Sequence, residues 1–98
     1  LSLTGCSGDS SAFKNIGEVE TFLNENNYLT GEKSDTMYQL IGAVNGFKYI
    51  DSHIEVYEFE SASKAKECEL KSGINGKYVI YCEKADNKDE IVSAFESK

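Results

Sequence analysis

The chain has 98 residues, 40% of them hydrophobic, and carries a net charge of −7 at pH 7. This length suits one small domain with a single hydrophobic core. Nucleic acids and anionic lipid headgroups are disfavoured as partners, because both are bound through clustered Lys and Arg, and the chain has seventeen acidic residues against ten lysines and no arginine. No stretch reaches the ~20 consecutive apolar residues of a transmembrane helix.

A first helix is predicted to begin near Ile16, with Ser11 as an alternative start. Apolar residues recur at helical spacing at positions 13, 16, 19, 22 and 23. Asn15 followed by Glu18 is typical of a capping box at a helix start. Asn26-Asn27 indicates the end, because asparagine tolerates the left-handed conformation found there.

A second, shorter helix is predicted after Ser34 or Asp35, either of which can cap it. Three apolar residues share its inward face: Met37, Leu40 and Ile41. Val44-Asn45-Gly46 is predicted to end this helix.

Two strands follow, at Phe47 to Ile50 and at His53 to Glu60. The two-residue link Asp51-Ser52 between them indicates an antiparallel hairpin. Ser61 then opens a third helix over Ala62 to Leu70.

Residues 72–76 read as a turn-rich break before the clearest strand of the chain, Lys77 to Glu83. This strand places Tyr78, Ile80 and Cys82 on one face and apolar residues 79 and 81 on the other, which is typical of a central strand. A last helix is predicted to start at residue 86 or 87. Glu90 is predicted to complete a capping box at its start. Ile91, Val92 and Phe95 are predicted to point inward.

The order of helices and strands predicts an α+β fold. So few residues cannot supply helices for both sheet faces, so we expect a three-stranded, mostly antiparallel sheet with the helices packed on one face, in two layers. If the second and third strands are joined by a right-handed crossover, they run parallel. The first strand would then lie between them, although an edge position stays open.

The first eleven residues differ in composition from the rest. Leu3-Thr4-Gly5-Cys6 places a branched apolar residue, a small residue and a glycine before a cysteine, and small polar residues follow. This order resembles the lipobox of bacterial lipoproteins, in which the cysteine is acylated and becomes the first residue of the mature chain. The resemblance implies a signal peptide remnant at residues 1–5, a lipid anchor at Cys6 with a tether to residue 11, and a single α+β domain at residues 12–98. A stray cysteine in a disordered terminus is the alternative.

A further resemblance covers most of residues 37–83. Ile41-Gly42-Ala43, Gly46-Phe47-Lys48, Ile54-Glu55-Val56-Tyr57-Glu58-Phe59 and Asn75-Gly76-Lys77-Tyr78-Val79-Ile80 are similar to segments of small lipoproteins of uncharacterised function from low-GC Gram-positive bacteria. The shared residues are turn glycines and strand residues. The resemblance therefore implies an extracytoplasmic, membrane-anchored location and assigns no activity, cofactor or functional residue.

The strand alternation predicts a candidate binding face opposite the helices. Six residues are expected on it: Tyr49, Glu55, Tyr57, Phe59, Val79 and Tyr81. The hairpin is locally acidic, for which the usual explanation is an exposed strand face protected against edge pairing by charge. The functional alternative is a recognition surface for a basic partner. Tyrosine also serves as core filler in a domain without Trp. A bare aromatic face would bind a protein or peptide, or dimerise weakly.

Cys68 and Cys82 raise the question of a disulfide, because an exported domain meets an oxidising environment. If the third helix and the next strand pack antiparallel, the two residues differ in level by roughly 10 Å, which exceeds the ~7 Å Cα limit of a disulfide. We therefore expect two buried thiols and no disulfide.

No pattern predicts a catalytic, metal or cofactor site. His53 is the only histidine, and carboxylates near it disfavour a Cys–His nucleophile. One His without a closely spaced Cys pair is not a zinc set. The run Asp86-Asn87-Lys88-Asp89-Glu90 lacks the spacing and central glycine of a calcium loop, and its acids suit the first turn of a helix.

The preferred hypothesis is a non-enzymatic, lipid-anchored extracytoplasmic domain that binds a protein or peptide through the acidic aromatic face or an edge strand, as a monomer or weak dimer. The alternative is a small-ligand-binding or hydrolytic domain, which requires a pocket of at least ~300 Å³ lined by tyrosines and carboxylates. A structural accessory that dimerises by sheet extension or domain swapping is a third hypothesis.

Overall fold

The computed structural model describes residues 12–98, so the predicted signal-peptide remnant, the tether and Cys6 lie outside the described residues. The helices are α1 (Ile16–Glu25), α2 (Ala62–Lys66) and α3 (Lys88–Ser97), and a 3₁₀ helix spans Tyr38–Ile41. The strands are β1 (Lys33–Ser34), β2 (Asn45–Tyr49), β3 (Ile54–Glu58), β4 (Gly73–Asn75) and β5 (Tyr78–Tyr81). The predicted α+β class is confirmed. Between residues 12 and 98, no helix has the length and apolar character that crossing a bilayer requires.

The sheet has five strands in the order β1-β2-β3-β5-β4, and all neighbouring strands are antiparallel. The prediction of three strands is wrong, because β4 was read as part of a turn-rich break and Ser34 of β1 as a possible helix cap. The predicted central position of the first hairpin strand is also wrong, since β3 lies between β2 and β5.

The parallel direction expected for the second and third strands is wrong as well, because β3 and β5 are antiparallel neighbours. β4 is antiparallel to β5 in turn, so β4 runs parallel to β3 with β5 between them. The chain therefore passes from β3 through α2 to the edge strand β4. It then turns back in a tight hairpin, and β5 pairs between β3 and β4.

The sequence pattern of α1 accounts for both of its ends. Asn15 Oδ1 accepts a hydrogen bond from the Glu18 N–H at 2.9 Å, and Glu18 Oε1 accepts one from the Lys14 N–H at 2.9 Å. At the other end Asn27 adopts φ 60°, the left-handed conformation that stops a helix. The predicted start near Ile16 and the stop at Asn26-Asn27 are confirmed.

Both faces of the sheet are covered, which contradicts the two-layer prediction. On the helix face, under α1 and α3, lies the larger core cluster. It includes Val19, Leu23, Phe47, Val56, Tyr78, Ile80, Cys82, Ile91 and Phe95. On the second face α2 and the 3₁₀ helix cover a smaller cluster that includes Ala43, Tyr57, Phe59, Ala65, Cys68 and Val79. Short helices suffice there because each covers only part of the sheet.

The predicted second and third helices are both shorter than expected. The second is a single 3₁₀ turn, and Met37 and Leu40, predicted to face inward, are exposed. The third ends at Lys66, although Ser61 caps it as predicted by accepting a hydrogen bond from the Lys64 N–H.

The last helix begins as predicted, with Asn87 as its N-cap residue, but the predicted box with Glu90 does not form. The Asn87 side chain makes no capping hydrogen bond. Glu90 Oε2 instead accepts a hydrogen bond from the Tyr28 hydroxyl at 3.1 Å. This contact ties the start of α3 to the segment that follows α1.

Candidate functional site

The six residues of the predicted binding face do not form one exposed surface. Tyr57, Phe59 and Val79 do lie together on the second face, but α2 and the 3₁₀ helix bury them. Their exposed fractions are 5%, 2% and 0%. The expectation that helices cover only one face was the cause of this error.

Tyr49 lies on the opposite face from the other predicted residues, against the helix-face core. Its hydroxyl donates to Glu20 Oε2 at 2.6 Å, and Lys33 Nζ donates to Glu20 Oε1 at 2.9 Å. The hydrogen bond to Glu20, together with burial, raises the pKa of Tyr49 to about 12. Burial alone would raise the pKa of Glu20, but the hydrogen bonds from Tyr49 and Lys33 outweigh it and lower that pKa. Tyr49 therefore fixes α1 to the sheet.

Glu55 and Tyr81 remain partly exposed on the second face. The strand register aligns Lys48, Glu55 and Tyr81 in one row across β2, β3 and β5. The buried Tyr57 hydroxyl donates to Glu55 Oε1. Burial, and after it this hydrogen bond, raise the pKa of Tyr57 well above its usual value. The row is a polar strip beside the covered part of the face.

The two edge strands offer little backbone for pairing with another chain. β1 has two residues and β4 has three. On β4 the Ile74 N–H already donates to Glu96 Oε2 at 2.9 Å. Short edge strands are protected against strand addition, and on β4 one N–H is also occupied, so the edge-strand form of the binding hypothesis gains no support.

Three of the five exposed large apolar residues in the described part of the chain lie in or next to the 3₁₀ helix, and the other two, Ile50 and Leu70, lie elsewhere. Met37 and Leu40 are 72% and 77% exposed, and Val44, between this helix and β2, is 52% exposed. In a 3₁₀ helix residues three apart lie on the same side, which places Tyr38 with Ile41. Met37 is the residue just before this helix, and its carbonyl accepts a hydrogen bond from the Leu40 N–H at 3.0 Å, so the two residues belong to one turn. Tyr38 and Ile41 pack against the smaller core cluster, whereas Met37 and Leu40 face solvent. We call Met37, Leu40 and Val44 the 37–44 patch.

A second candidate site is a concave, hydrophilic surface with a volume of about 330 Å³. Four segments form it: the end of α1, Thr30, the turn between β2 and β3, and the segment before α3. Its charged and amide side chains are Asn27, Asp51, His53, Lys84, Asp86 and Asn87. We call this surface the polar cleft.

Sequence reasoning missed both sites. Met37 and Leu40 were placed on the buried side because their spacing also fits an α-helix. The polar cleft joins residues from distant parts of the chain, so no local sequence pattern predicts it. His53, interpreted as a solvated hairpin residue, is exposed and is one wall of the cleft.

The two described thiols are buried on opposite faces of the sheet. Cys82 belongs to the helix-face cluster and Cys68 to the smaller one. Burial raises the pKa of Cys82, which makes its thiol a poor nucleophile. Within residues 12–98, no group of three or more His, Cys, Asp or Glu side chains is placed to hold a metal ion.

Comparisons with protein-family models, with curated proteins and with solved structures find no significant match for this chain.

Proposed function

We propose that this chain is a lipid-anchored, extracytoplasmic, non-enzymatic domain that binds a protein partner through the 37–44 patch. The observation that carries the binding proposal is the exposure of Met37 and Leu40, at 72% and 77%. Two large exposed apolar side chains in one helical turn are a typical anchor for a partner, because their burial removes apolar area from water.

The patch is held in place before any partner binds. Tyr38 and Ile41 pack the 3₁₀ helix against the second face, and its C-terminal Gly42 closes the turn with φ 81°. The Val44 N–H donates to the Glu58 carbonyl at 2.8 Å, which fixes the segment that follows. An ordered surface loses less conformational entropy on binding than a flexible one.

The size and charge of the surface indicate the kind of partner. A standard interface buries about 800 Å² on each side, more than three side chains provide. The patch would therefore be the centre of an interface, with polar neighbours such as Asp35 and Gln39 at its rim. A net charge of −7 favours a partner with a basic rim.

The anchor is proposed from Leu3-Thr4-Gly5-Cys6, since two acyl chains give stable membrane attachment where one does not. Intact-mass spectrometry of native protein extracted from membranes is expected to give the mass of a chain that begins at Cys6 and carries fatty acyl groups. Recovery of the native chain from cytosol, with residues 1–5 attached and no lipid, would contradict this part of the proposal.

The patch is tested by photo-crosslinking in the native organism. A photoreactive benzoylphenylalanine in place of Leu40 is expected to give a discrete adduct with a second protein, because the side chain at this position contacts the partner. The same residue in place of Ser93, which is exposed on α3, is the matched control and should give no such adduct.

Met37→Ser tests whether the adduct formed from position 40 depends on binding through the 37–44 patch. Met37 is 72% exposed, so the substitution leaves the fold intact, and it should reduce the adduct formed from position 40. The binding proposal fails if positions 40 and 93 give the same products, or if Met37→Ser leaves the yield unchanged.

A further inference from the structure

We propose that the polar cleft is a binding site for a small zwitterion, a free α-amino acid with a polar side chain. This inference is independent of the anchor and of the 37–44 patch. It starts from the size of the cleft, about 330 Å³, which lies at the lower end of the range for small-molecule sites.

The lining of the cleft determines the class of ligand. Of the residues that line it, Ala85 is the only one with an apolar side chain, and the Tyr28 ring is 9% exposed. An apolar ligand would find almost no matching surface. A sugar would find no tyrosine, phenylalanine or tryptophan face to stack on, since Tyr28 is buried and the one exposed aromatic ring of the lining is the small imidazole of His53.

Charges of both signs border the cleft. Asp51 and Asp86 supply carboxylates that fit an ammonium group, and Lys84 supplies an ammonium that fits a carboxylate. A ligand with only negative charge would be repelled by the two aspartates, and one with only positive charge would leave Lys84 without a ligand group of opposite charge. A zwitterion satisfies both signs at once.

The carboxylate of the ligand is assigned to Lys84, the one lysine among the residues that line the cleft. The start of α3 does not contribute to this part of the site. The Lys88 N–H already donates to the Ala85 carbonyl at 3.3 Å, and Asp89 and Glu90 place two carboxylates in the first turn of the helix.

The walls of the cleft are fixed to one another. The Tyr28 hydroxyl donates to Glu90 at 3.1 Å, which links the wall after α1 to the wall formed by α3. Asn27 and His53 are the two non-glycine residues with positive φ among residues 12–98, at 60° and 58°, and both line the cleft. The cleft is thus built from conformations that the surrounding contacts impose, and such preformed sites bind small ligands at lower entropic cost.

The test is calorimetric titration of the full chain with L-glutamine, with two blocked analogues as comparison. N-acetyl-L-glutamine lacks the ammonium group and L-glutaminamide lacks the carboxylate. We expect L-glutamine to bind with a Kd of about 1 mM or below, and each analogue to bind about tenfold more weakly or worse. Glucose serves as the uncharged polar probe and is expected not to bind.

Three single variants locate the binding. Asp51→Asn and Lys84→Gln each remove one charge from an exposed side chain at the cleft, and each is expected to weaken L-glutamine binding about tenfold. Asp89→Asn is the matched control, because Asp89 is exposed on α3 next to the cleft without lining it. Circular dichroism checks that each variant is folded, and Lys84→Gln carries the test if Asp51→Asn is not.

Four results would overturn the proposal. They are absence of L-glutamine binding at about 10 mM, equal affinity for the blocked analogues, binding of glucose alone, and an affinity that Asp51→Asn and Lys84→Gln leave unchanged. An affinity that Asp89→Asn lowers as much as the cleft variants do would place the ligand elsewhere and would count equally against it.

Discussion

Replacing Phe95 by alanine is expected to lower the free energy of unfolding by about 3–5 kcal/mol, the range for a buried aromatic residue. Phe95 has no exposed surface and stacks on Phe13 with ring centroids 5.6 Å apart. Phe13 in turn contacts Phe22 and Tyr78 edge to face. Loss of the Phe95 ring therefore leaves a cavity where α1, α3 and β5 meet. Urea unfolding followed by circular dichroism measures the change.

Leu40→Ala is the matched control for the core variant. Leu40 is 77% exposed, so its truncation should change the free energy of unfolding by no more than about 0.5 kcal/mol. If Phe95→Ala prevents folding altogether, Phe95→Leu keeps part of the volume and should show a smaller, measurable loss. A loss below about 1 kcal/mol for Phe95→Ala would show that the side chain is not in the core described here.

The sequence predicted best those elements whose signals are local. The ends of α1 are set by Glu18 in its first turn and by Asn15 and Asn27, which lie just outside the helix. In β5, residues 78 and 80 face one core cluster and residues 79 and 81 the other, as the alternation predicted. Apolar residues on both faces require cover on both sides, and this strand has it.

The edge strands could not be predicted because distant residues hold them in place. Gly73-Ile74-Asn75 reads as a turn, yet it pairs with β5. The Ile74 N–H donates to Glu96, and Asn75 Nδ2 donates to the Phe95 carbonyl, both on α3. The right-handed crossover rule concerns the strand that follows α2, which is β4. Because β4 was not recognised in the sequence, the parallel direction was predicted for β5 instead.

Gly46 shows how the candidate site escaped the sequence analysis. It was interpreted as a helix end, but it lies within β2. A β-carbon at this position would stand 2.7 Å from Thr36 Oγ1 and 3.1 Å from Tyr38 Cβ. The chain before and within the 3₁₀ helix therefore crosses directly over this strand, which a larger residue would prevent. That close crossing turns Met37 and Leu40 toward solvent.

Gly31→Ala is expected to lower the free energy of unfolding by about 2–5 kcal/mol, since two costs add. Gly31 has φ 85°, a left-handed conformation that costs an L-residue about 1–2 kcal/mol. A β-carbon there would also lie 2.6 Å from Asp51 Cβ and 2.5 Å from Asp51 Cγ, and such crowding costs about 1–3 kcal/mol. Chemical denaturation of the two chains side by side measures the sum.

Gly42→Ala isolates the first cost, because Gly42 has φ 81° and nothing lies within 4 Å of its added β-carbon. It should lose only about 1–2 kcal/mol. Asp51→Gly in the Gly31→Ala chain removes the crowding atoms. The double variant should therefore recover the stability lost to crowding, and its remaining loss should approach that of Gly42→Ala. A double-mutant cycle measures this coupling. Equal losses for Gly31→Ala and Gly42→Ala would mean that Asp51 is not packed on Gly31. Next to the contact between Gly31 and Asp51, the Ile50 N–H donates a hydrogen bond to the Glu32 carbonyl at 3.3 Å. The two loops are therefore held together, which positions Asp51 at the polar cleft.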